Sequence, residues 1–127
     1  MRPYALAVAL LAGAAAPATA IHGPCRASAE PPTAQHAFGA EASGSFRCDT
    51  ARPLLSVEVC LEVLAETGWE PVACETGEAV DAAEVSATAY GCRYGLYLIR
   101  STARGVASTG ERGYAASLPD AYLCTPL

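Results

Sequence analysis

Hydrophobic and polar residues alternate most regularly over residues 54–64, which read LLSVEVCLEVL. One face of this segment is entirely aliphatic and consists of Leu55, Val57, Val59, Leu61 and Val63. The opposite face carries Ser56, Glu58, Cys60 and Glu62. Alternation with a period of two and repeated valine favours a half-buried strand, because a helix would scatter the glutamates around its surface.

The segment that follows predicts a hairpin. Residues 65–68 (AETG) are typical of a turn, and residues 69–74 (WEPVAC) form the returning strand. Pro71 has no backbone N–H to donate to a ladder. We therefore expect this returning strand to be an edge strand or to be bulged at Pro71.

Weaker patterns predict the remaining elements. Residues 94–102 are apolar on both faces at their middle, which is typical of a central strand. Residues 77–83 are compatible with either a strand or a short helix. Short strands are predicted at 46–48, 84–90, 114–118 and 121–124.

Many short strands, frequent Gly and Pro and no convincing long helix predict an all-β fold. We expect a small disulfide-stapled β-sandwich, Ig-like in general architecture, over residues 37–127. Residues 21–36 (IHGPCRASAEPPTAQH) are rich in Pro, Ala and small polar residues and predict an irregular N-terminal arm. This arm would be ordered only if Cys25 is bridged.

The first twenty residues have the three parts of a secretory signal peptide. Arg2 is followed by an uncharged apolar run over residues 5–16, and Ala18 and Ala20 supply a small-residue cleavage site. The run is short for a bilayer span, which needs about 20 residues, so an uncleaved anchor is the weaker alternative. We predict cleavage after Ala20, no membrane association afterwards and an extracellular location.

All six cysteines follow this signal, and an even number in a short exported chain predicts disulfides. They contain no C-x-x-C, which disfavours a metal site. A turn centred between Glu66 and Thr67 places Cys60 within one position of Cys74, so we predict the Cys60–Cys74 bridge. Pairing nearest neighbours in order adds Cys25–Cys48 and Cys92–Cys124, although other connectivities remain open.

The charge pattern excludes some classes of function. The net charge is −5, and an acidic surface repels the phosphate backbone, so no nucleic acid partner is expected. The chain contains no Lys, which excludes Schiff-base chemistry. Acidic residues concentrate in residues 41–84, and arginines in residues 85–127. This indicates either a basic end for an acidic ligand or ordinary solvated faces.

Few residues suggest catalysis. His22 and His36 are the two histidines, and both lie in the expected irregular arm, where a general base has no fixed position. Glu58 and Glu62 would lie roughly 13 Å apart on a strand, beyond the ~6.5–9.5 Å of an inverting glycosidase pair. We predict no catalytic residue, no metal and no cofactor.

Aromatic residues and arginines are the best candidates for ligand contact. The residues that could face a ligand are Trp69, Tyr94, Tyr97, Arg100, Arg104 and Arg112. A sugar- or polyanion-binding patch is one interpretation, and packing within the sheet is the other.

A recurring layout of residues supports a family comparison. Residues 59–61 (VCL), Gly68, Trp69, Val72 and Cys74 and, further on, Cys92, Gly95 and Tyr97 resemble small secreted proteins of Gram-positive actinobacteria. The resemblance covers roughly residues 48–124, and it implies secretion and a small β domain without implying an activity.

The sequence therefore predicts a secreted, non-enzymatic binding module. Its partner would be an extracellular protein, a cell-wall polymer or a small molecule. The alternative is an inhibitor of an extracellular hydrolase that presents residues 104–112 as a rigid loop. A third hypothesis is a minimal hydrolase that uses His36.

Overall fold

The structure is a computed structural model that describes residues 24–36 and 39–126. Six strands make up the regular structure of this part of the chain: β1 (Cys25–His36), β2 (Gly39–Ala65), β3 (Gly68–Gly91), β4 (Gly95–Ala107), β5 (Arg112–Ala116) and β6 (Asp120–Cys124). The all-β prediction is confirmed. No helix that could span a bilayer occurs in residues 24–36 or 39–126.

All six strands belong to one antiparallel sheet organised around the long strand β2. The first part of β2 pairs with β1, and its second part pairs with β4. β3 follows β2 along both parts. β5 and β6 lie end to end along the other edge of β4.

The sheet bends in the middle of β2 and folds back on itself. The register between β2 and β3 shifts between Arg47 and Arg52, and in β3 Asp81 adopts a positive φ of 49°. Beyond the bend, Phe46 in the first part of β2 lies over Gly105 of β4. The two halves of the curled sheet therefore face each other across one core.

One curled sheet supplies both of the facing halves. Hydrogen bonds link all six strands into one sheet, because β2 and β3 are long enough to run through the bend without interruption. The facing halves are compatible with a sandwich, and the Ig-like comparison stays a prediction.

The predicted alternation of residues 54–64 is confirmed and supplies much of the core. Its aliphatic face is almost completely buried at Leu55, Val57, Val59, Leu61 and Val63. Each such side chain contributes about 1.5–3 kcal/mol of burial free energy. The facing half of the sheet contributes Ala40, Ala42 and Phe46.

The predicted hairpin and its irregularity at Pro71 are also present. The turn lies at Glu66 and Thr67, and β3 pairs only with β2, so it is an edge strand. Glu62 pairs with Pro71, but the preceding residue of β2 skips one position and pairs with Ala73. Val72 is the extra residue of this bulge. The bulge brings Cys74 opposite Cys60.

Residues 25–36 and 77–83 both lie in strands. The prediction of an irregular arm is wrong for residues 25–36, which form β1 and pair with β2. Small residues and prolines concealed this strand, whose Ala27 and Ala29 pack against the core where larger residues would crowd it. Residues 77–83 are strand, within β3. The predicted signal peptide, residues 1–20, lies outside the described residues.

Three disulfides connect neighbouring strands, and they join the same cysteines that the sequence analysis paired. Cys25–Cys48 crosses from β1 to β2, and Cys60–Cys74 crosses from β2 to β3. Cys92–Cys124 ties the connection before β4 to the end of β6. Each such bond typically adds about 2–4 kcal/mol of stability. Three disulfides indicate an oxidising compartment, extracellular or periplasmic.

Candidate functional site

Strand β4 has one buried face and one exposed face. Its odd-numbered residues, among them Ile99, Ser101, Ala103 and Ala107, are buried against the facing half of the sheet. Its even-numbered residues point away from the core; we call this side of β2, β4, β5 and β6 the outer face. The central strand predicted for residues 94–102 is confirmed from Ile99 onward, where β4 has β2 along one edge and β6 or β5 along the other. Residues 95–98 pair with β6 alone, and apolar residues on the outer face of β4 remain uncovered.

A group of four exposed leucines occupies one end of the outer face. Leu96 pairs with Leu123 across β4 and β6. Leu98 follows Leu96 on the same face, and Leu64 lies one residue beyond the last β2–β4 pair, Val63 with Ile99. The four are 71% (Leu96), 54% (Leu123), 42% (Leu98) and 40% (Leu64) exposed. We call Leu64, Leu96, Leu98 and Leu123 the leucine zone.

Next to the leucine zone, the guanidinium of Arg100 stacks on the Trp69 ring. The Nε atom of Arg100 donates to Glu62 Oε1 at 2.9 Å, and the guanidinium carbon lies 4.3 Å from the centre of the Trp69 ring. All three side chains are partly buried. One face of Trp69 is therefore covered by Arg100, and the Arg100 charge is neutralised by Glu62.

Arg93, at the same end of the sheet, is engaged in the same way. Its Nη1 atom donates to Glu70 Oε1 at 2.9 Å, and its guanidinium lies 5.8 Å from the Tyr97 ring centre. The hydrogen bond from Arg93 and a second one from Thr67 hold the pKa of Glu70 below its ordinary value. Arg93 is thus part of a local clamp between β3 and the start of β4.

The other end of the outer face carries arginines without such a partner. Arg104 lies opposite Tyr114 in β5, and its guanidinium is 4.9 Å from the Tyr114 ring centre. Arg112 precedes Tyr114 by two residues on the same face of β5 and is exposed. Neither arginine forms an ion pair with any residue that the structure describes. We call Arg104, Arg112 and Tyr114 the arginine zone.

The predicted ligand-facing residues therefore divide into separate groups. Arg104 and Arg112 are exposed together, whereas Trp69 and Arg100 are stacked on each other. Tyr97 points inward, lies opposite Tyr122 and packs on the core. Tyr94 is exposed just before β4 begins. A single patch made of all six residues is not what the structure contains.

The segment proposed as an inhibitory loop is mostly strand. β4 continues to Ala107 and β5 starts at Arg112. The intervening turn is closed by backbone hydrogen bonds from Ala107 N to Glu111 O and from Gly110 N to Ala107 O, both at 2.8 Å. Residues 104–112 are thus a tight hairpin rather than a protruding loop.

Sequence reasoning missed a buried arginine at the bend of β2. The side chain of Arg52 is only 10% exposed. It donates to Thr50 O at 2.7 Å, to Asp49 Oδ1 at 3.2 Å and to Glu111 Oε2 at 3.3 Å. Burial opposes its charge, but the hydrogen bonds and charges of Glu111 and Asp49 outweigh that effect and raise the Arg52 pKa. No local signal marked it, because Glu111 is distant in sequence.

Other groups that could carry chemistry are already engaged or lie elsewhere. Glu58, Cys60 and Cys74 lie close enough together to hold a metal ion, but both sulfurs are in the disulfide and provide no thiolate ligand. His36 ends β1, and its side chain, like all of His22, lies outside the described part of the structure. The Ser101 hydroxyl is buried without a hydrogen-bond partner among the described residues, inside the core rather than at the surface.

Comparisons with known proteins give little information about function. No family model matches the sequence, and no curated protein is significantly similar to it. Among solved structures, the chain is similar to a conjugative transposon lipoprotein from Bacteroides eggerthii DSM 20697, with 9% identity and a TM-score of 0.37. The match covers 78% of this chain and 96% of that one. Similarity at this level carries no argument about activity or partners.

Proposed function

We propose that this chain is exported and works as a non-enzymatic binding module that recognises an extracellular protein through its outer face. The observation that carries this proposal is the leucine zone. Leu96 and Leu98 lie on β4 before its pairing with β2 begins at Ile99, so β6 is their one paired neighbour, and they remain 71% and 42% exposed. Contiguous exposed apolar residues of this kind mark interaction surfaces more often than chance solvent exposure.

The shape of the face favours a protein over the other partner classes. Small-molecule sites are concave, whereas this face consists of neighbouring strands of one sheet. A sugar polymer would need open aromatic rings for stacking, and one face of Trp69 is already covered by Arg100. A continuous, partly apolar sheet face suits another folded protein.

The dimensions of the outer face are also compatible with a protein interface. From Leu96 to Val106 the strand advances about 33 Å, at about 3.3 Å per residue. Because β5 and β6 lie end to end, the face is three strands wide, and strands spaced about 4.8 Å apart give a surface on the order of 500 Å². A standard interface buries about 800 Å² per partner, so the outer face would supply more than half of one.

Export is supported by the N-terminal sequence and by the disulfides. A basic residue, an apolar run and a small-residue site precede the first cysteine. Three disulfides need an oxidising compartment to form and persist. Glu62, one of the two glutamates considered for glycoside hydrolysis, has its carboxylate held in an ion pair with Arg100, which disfavours that chemistry.

Affinity capture with matched variants tests the proposal. Wild-type protein, the double variant Leu96→Ser with Leu98→Ser, and Val80→Ser are immobilised and exposed to the extracellular fraction of the native source. Val80 is the control because it is also 71% exposed but lies on β3, opposite Leu54 and away from the leucine zone. We expect a protein that binds the wild type and Val80→Ser and is at least tenfold depleted on the double variant.

Identical capture by all three proteins would overturn the proposal. Sedimentation of the free protein tests whether a second copy of this chain covers the outer face instead. A wild-type dimer that the double variant converts to a monomer would assign the leucine zone to a second copy of this chain. Both substitutions replace exposed side chains, so the free energy of unfolding should change by no more than about 0.5 kcal/mol.

A further inference from the structure

We infer that the arginine zone is a carboxylate-binding subsite of this interface. The inference rests on the proposed function, because it places the subsite on the same outer face as the leucine zone. The chemical group recognised is a side-chain carboxylate of the partner protein, bound by the guanidinium groups of Arg104 on β4, opposite Tyr114, and of Arg112 on β5, two residues before Tyr114.

The first argument is the contrast with the other arginines. Arg47, Arg52, Arg93 and Arg100 each form an ion pair with an Asp or Glu of this chain. The chain has thirteen acidic residues against eight basic ones, so carboxylates are plentiful. Arg104 and Arg112 nevertheless lack a carboxylate partner within the described residues and are free to bind one from outside.

The second argument is the position of Glu58. This exposed glutamate is the cross-strand neighbour of Arg104 on β2, yet the two form no ion pair. Arg104 instead stacks on Tyr114, its neighbour on the other side, in β5. Stacking on an aromatic ring orients the guanidinium while leaving its N–H groups available at the edge, which lowers the ordering cost of binding a carboxylate.

The overall charge selects the class of ligand. At a net charge of −5, the protein repels a dense polyanion at long range, so a phosphate polymer is disfavoured. An isolated carboxylate on a protein avoids most of this repulsion. Leu98 and Arg104 are six residues apart on one strand face, about 20 Å, so one folded partner can cover both zones.

Peptide binding followed by amide chemical shifts tests the inference without the natural partner. The probe is a short acetylated and amidated peptide with two glutamates between leucines, and its matched control replaces both glutamates with glutamine. We expect the glutamate peptide to shift the amides of residues 102–106 and 112–116. The glutamine peptide should bind about two- to fivefold more weakly, as expected for loss of exposed charge pairs.

Three variants sharpen the test. Arg104→Gln with Arg112→Gln should weaken binding of the glutamate peptide about two- to fivefold. Arg47→Gln removes the same kind of exposed charge where it is paired with Glu84, and it should have no effect. Glu58→Gln should strengthen binding, because it removes a negative charge beside the subsite.

Equal binding of the two peptides, or binding that is indifferent to both the arginine variants and Glu58→Gln, would overturn the inference. Tighter binding of inorganic polyphosphate than of the glutamate peptide, lost in the same arginine variants, would reassign the zone to polyanions and also overturn it. The leucine double variant should retain peptide-induced shifts in the arginine zone. Failure of the subsite is therefore distinguishable from failure of the proposed interface.

Discussion

The two faces of β4 differ in a way that reverses the usual relation between size and burial. The buried face carries small side chains over most of its length: Ser101, Ala103, Gly105 and Ala107. The outer face carries larger ones: Leu96, Leu98, Arg104 and Val106 are exposed, Arg100 is partly buried, and Thr102 is the buried exception. On this strand, the narrow space between the two halves of the sheet decides which residues are buried, and side-chain hydrophobicity does not.

The reason for small residues on the buried face is the close approach of the two halves. A Cβ on Gly105 would collide with the Phe46 side chain, and a Cβ on Gly44 would lie 2.8 Å from the Cβ of Ala103. The large side chains of the core come from Phe46 in the first part of β2 and from the aliphatic face of its second part. Large residues on the outer face have no such constraint, which leaves them available for binding.

The largest expected loss of stability comes from truncating Phe46, the large residue in the contact with Gly105. Phe46→Ala empties the space above Gly105, and truncation of a buried phenylalanine costs about 3–5 kcal/mol. That is a large share of the ~5–15 kcal/mol stability of a typical domain. Urea unfolding with the disulfides intact measures it, with Phe46→Leu as the milder control. A cost below about 1 kcal/mol would show that the halves are not tightly packed there.

A smaller loss of stability is expected when Gly105, the small residue of this contact, is replaced by alanine. Gly105→Ala would gain about 0.4–1 kcal/mol from a stiffer unfolded chain, but overpacking against Phe46 costs about 1–3 kcal/mol, and the clash should prevail. The neighbouring control, Val106→Ala on the outer face, should cost less than Gly105→Ala when both are measured by urea unfolding. The reverse order would contradict the assignment of the two faces.

The smallest effect is expected at the turn that ends β4, where Glu111 meets Arg52. Hydrogen bonds from Thr109, from the Glu111 backbone and from Arg52 lower the Glu111 pKa from its ordinary value of 4.5. A carboxylate with a lowered folded-state pKa contributes stability above its unfolded pKa and loses it as the pH falls through the folded value. Glu111→Gln should therefore be less stable than wild type at pH 7, with the difference shrinking toward pH 3.

Urea midpoints at both pH values measure this difference. Glu58→Gln is the control, because it removes an exposed carboxylate that makes no ion pair in the described part of the chain. We expect it to follow the wild type at both pH values. If Glu111→Gln were less stable than wild type by the same amount at pH 7 and pH 3, the contact between Arg52 and Glu111 would act through packing rather than charge.

Local patterns were sufficient for much of β2 and its hairpin. The alternation of residues 54–64, the Gly68 turn and the irregularity at Pro71 are all short-range features, so they can be read without knowledge of the rest of the fold. The same turn placed Cys60 within one position of Cys74, and the bulge at Val72 completes the register. For the candidate site, Arg104 and Arg112 are exposed, whereas Tyr97, which the sequence grouped with them as a candidate for ligand contact, is packed on the core.

Two features were decided by tertiary structure. Ala27 and Ala29 read as loop because small residues have low strand propensity, yet β1 forms because it pairs with β2 and packs these two alanines against the core. The apolar run in residues 94–102 gave no way to tell which face would be covered. Leu98 and Ile99 are comparable in hydrophobicity, and only the fold of β2 over β4 buries Ile99 and leaves Leu98 exposed.

The sequence by itself determined the strand class, the hairpin and the oxidising compartment, since these depend on periodicity and composition. The tertiary structure decided the single curled sheet, the burial of Arg52 and the separation of the leucine and arginine zones. The physical reason is that these features depend on contacts between residues distant in sequence, such as Phe46 with Gly105 and Arg52 with Glu111. No local pattern encodes which distant surface will cover which face.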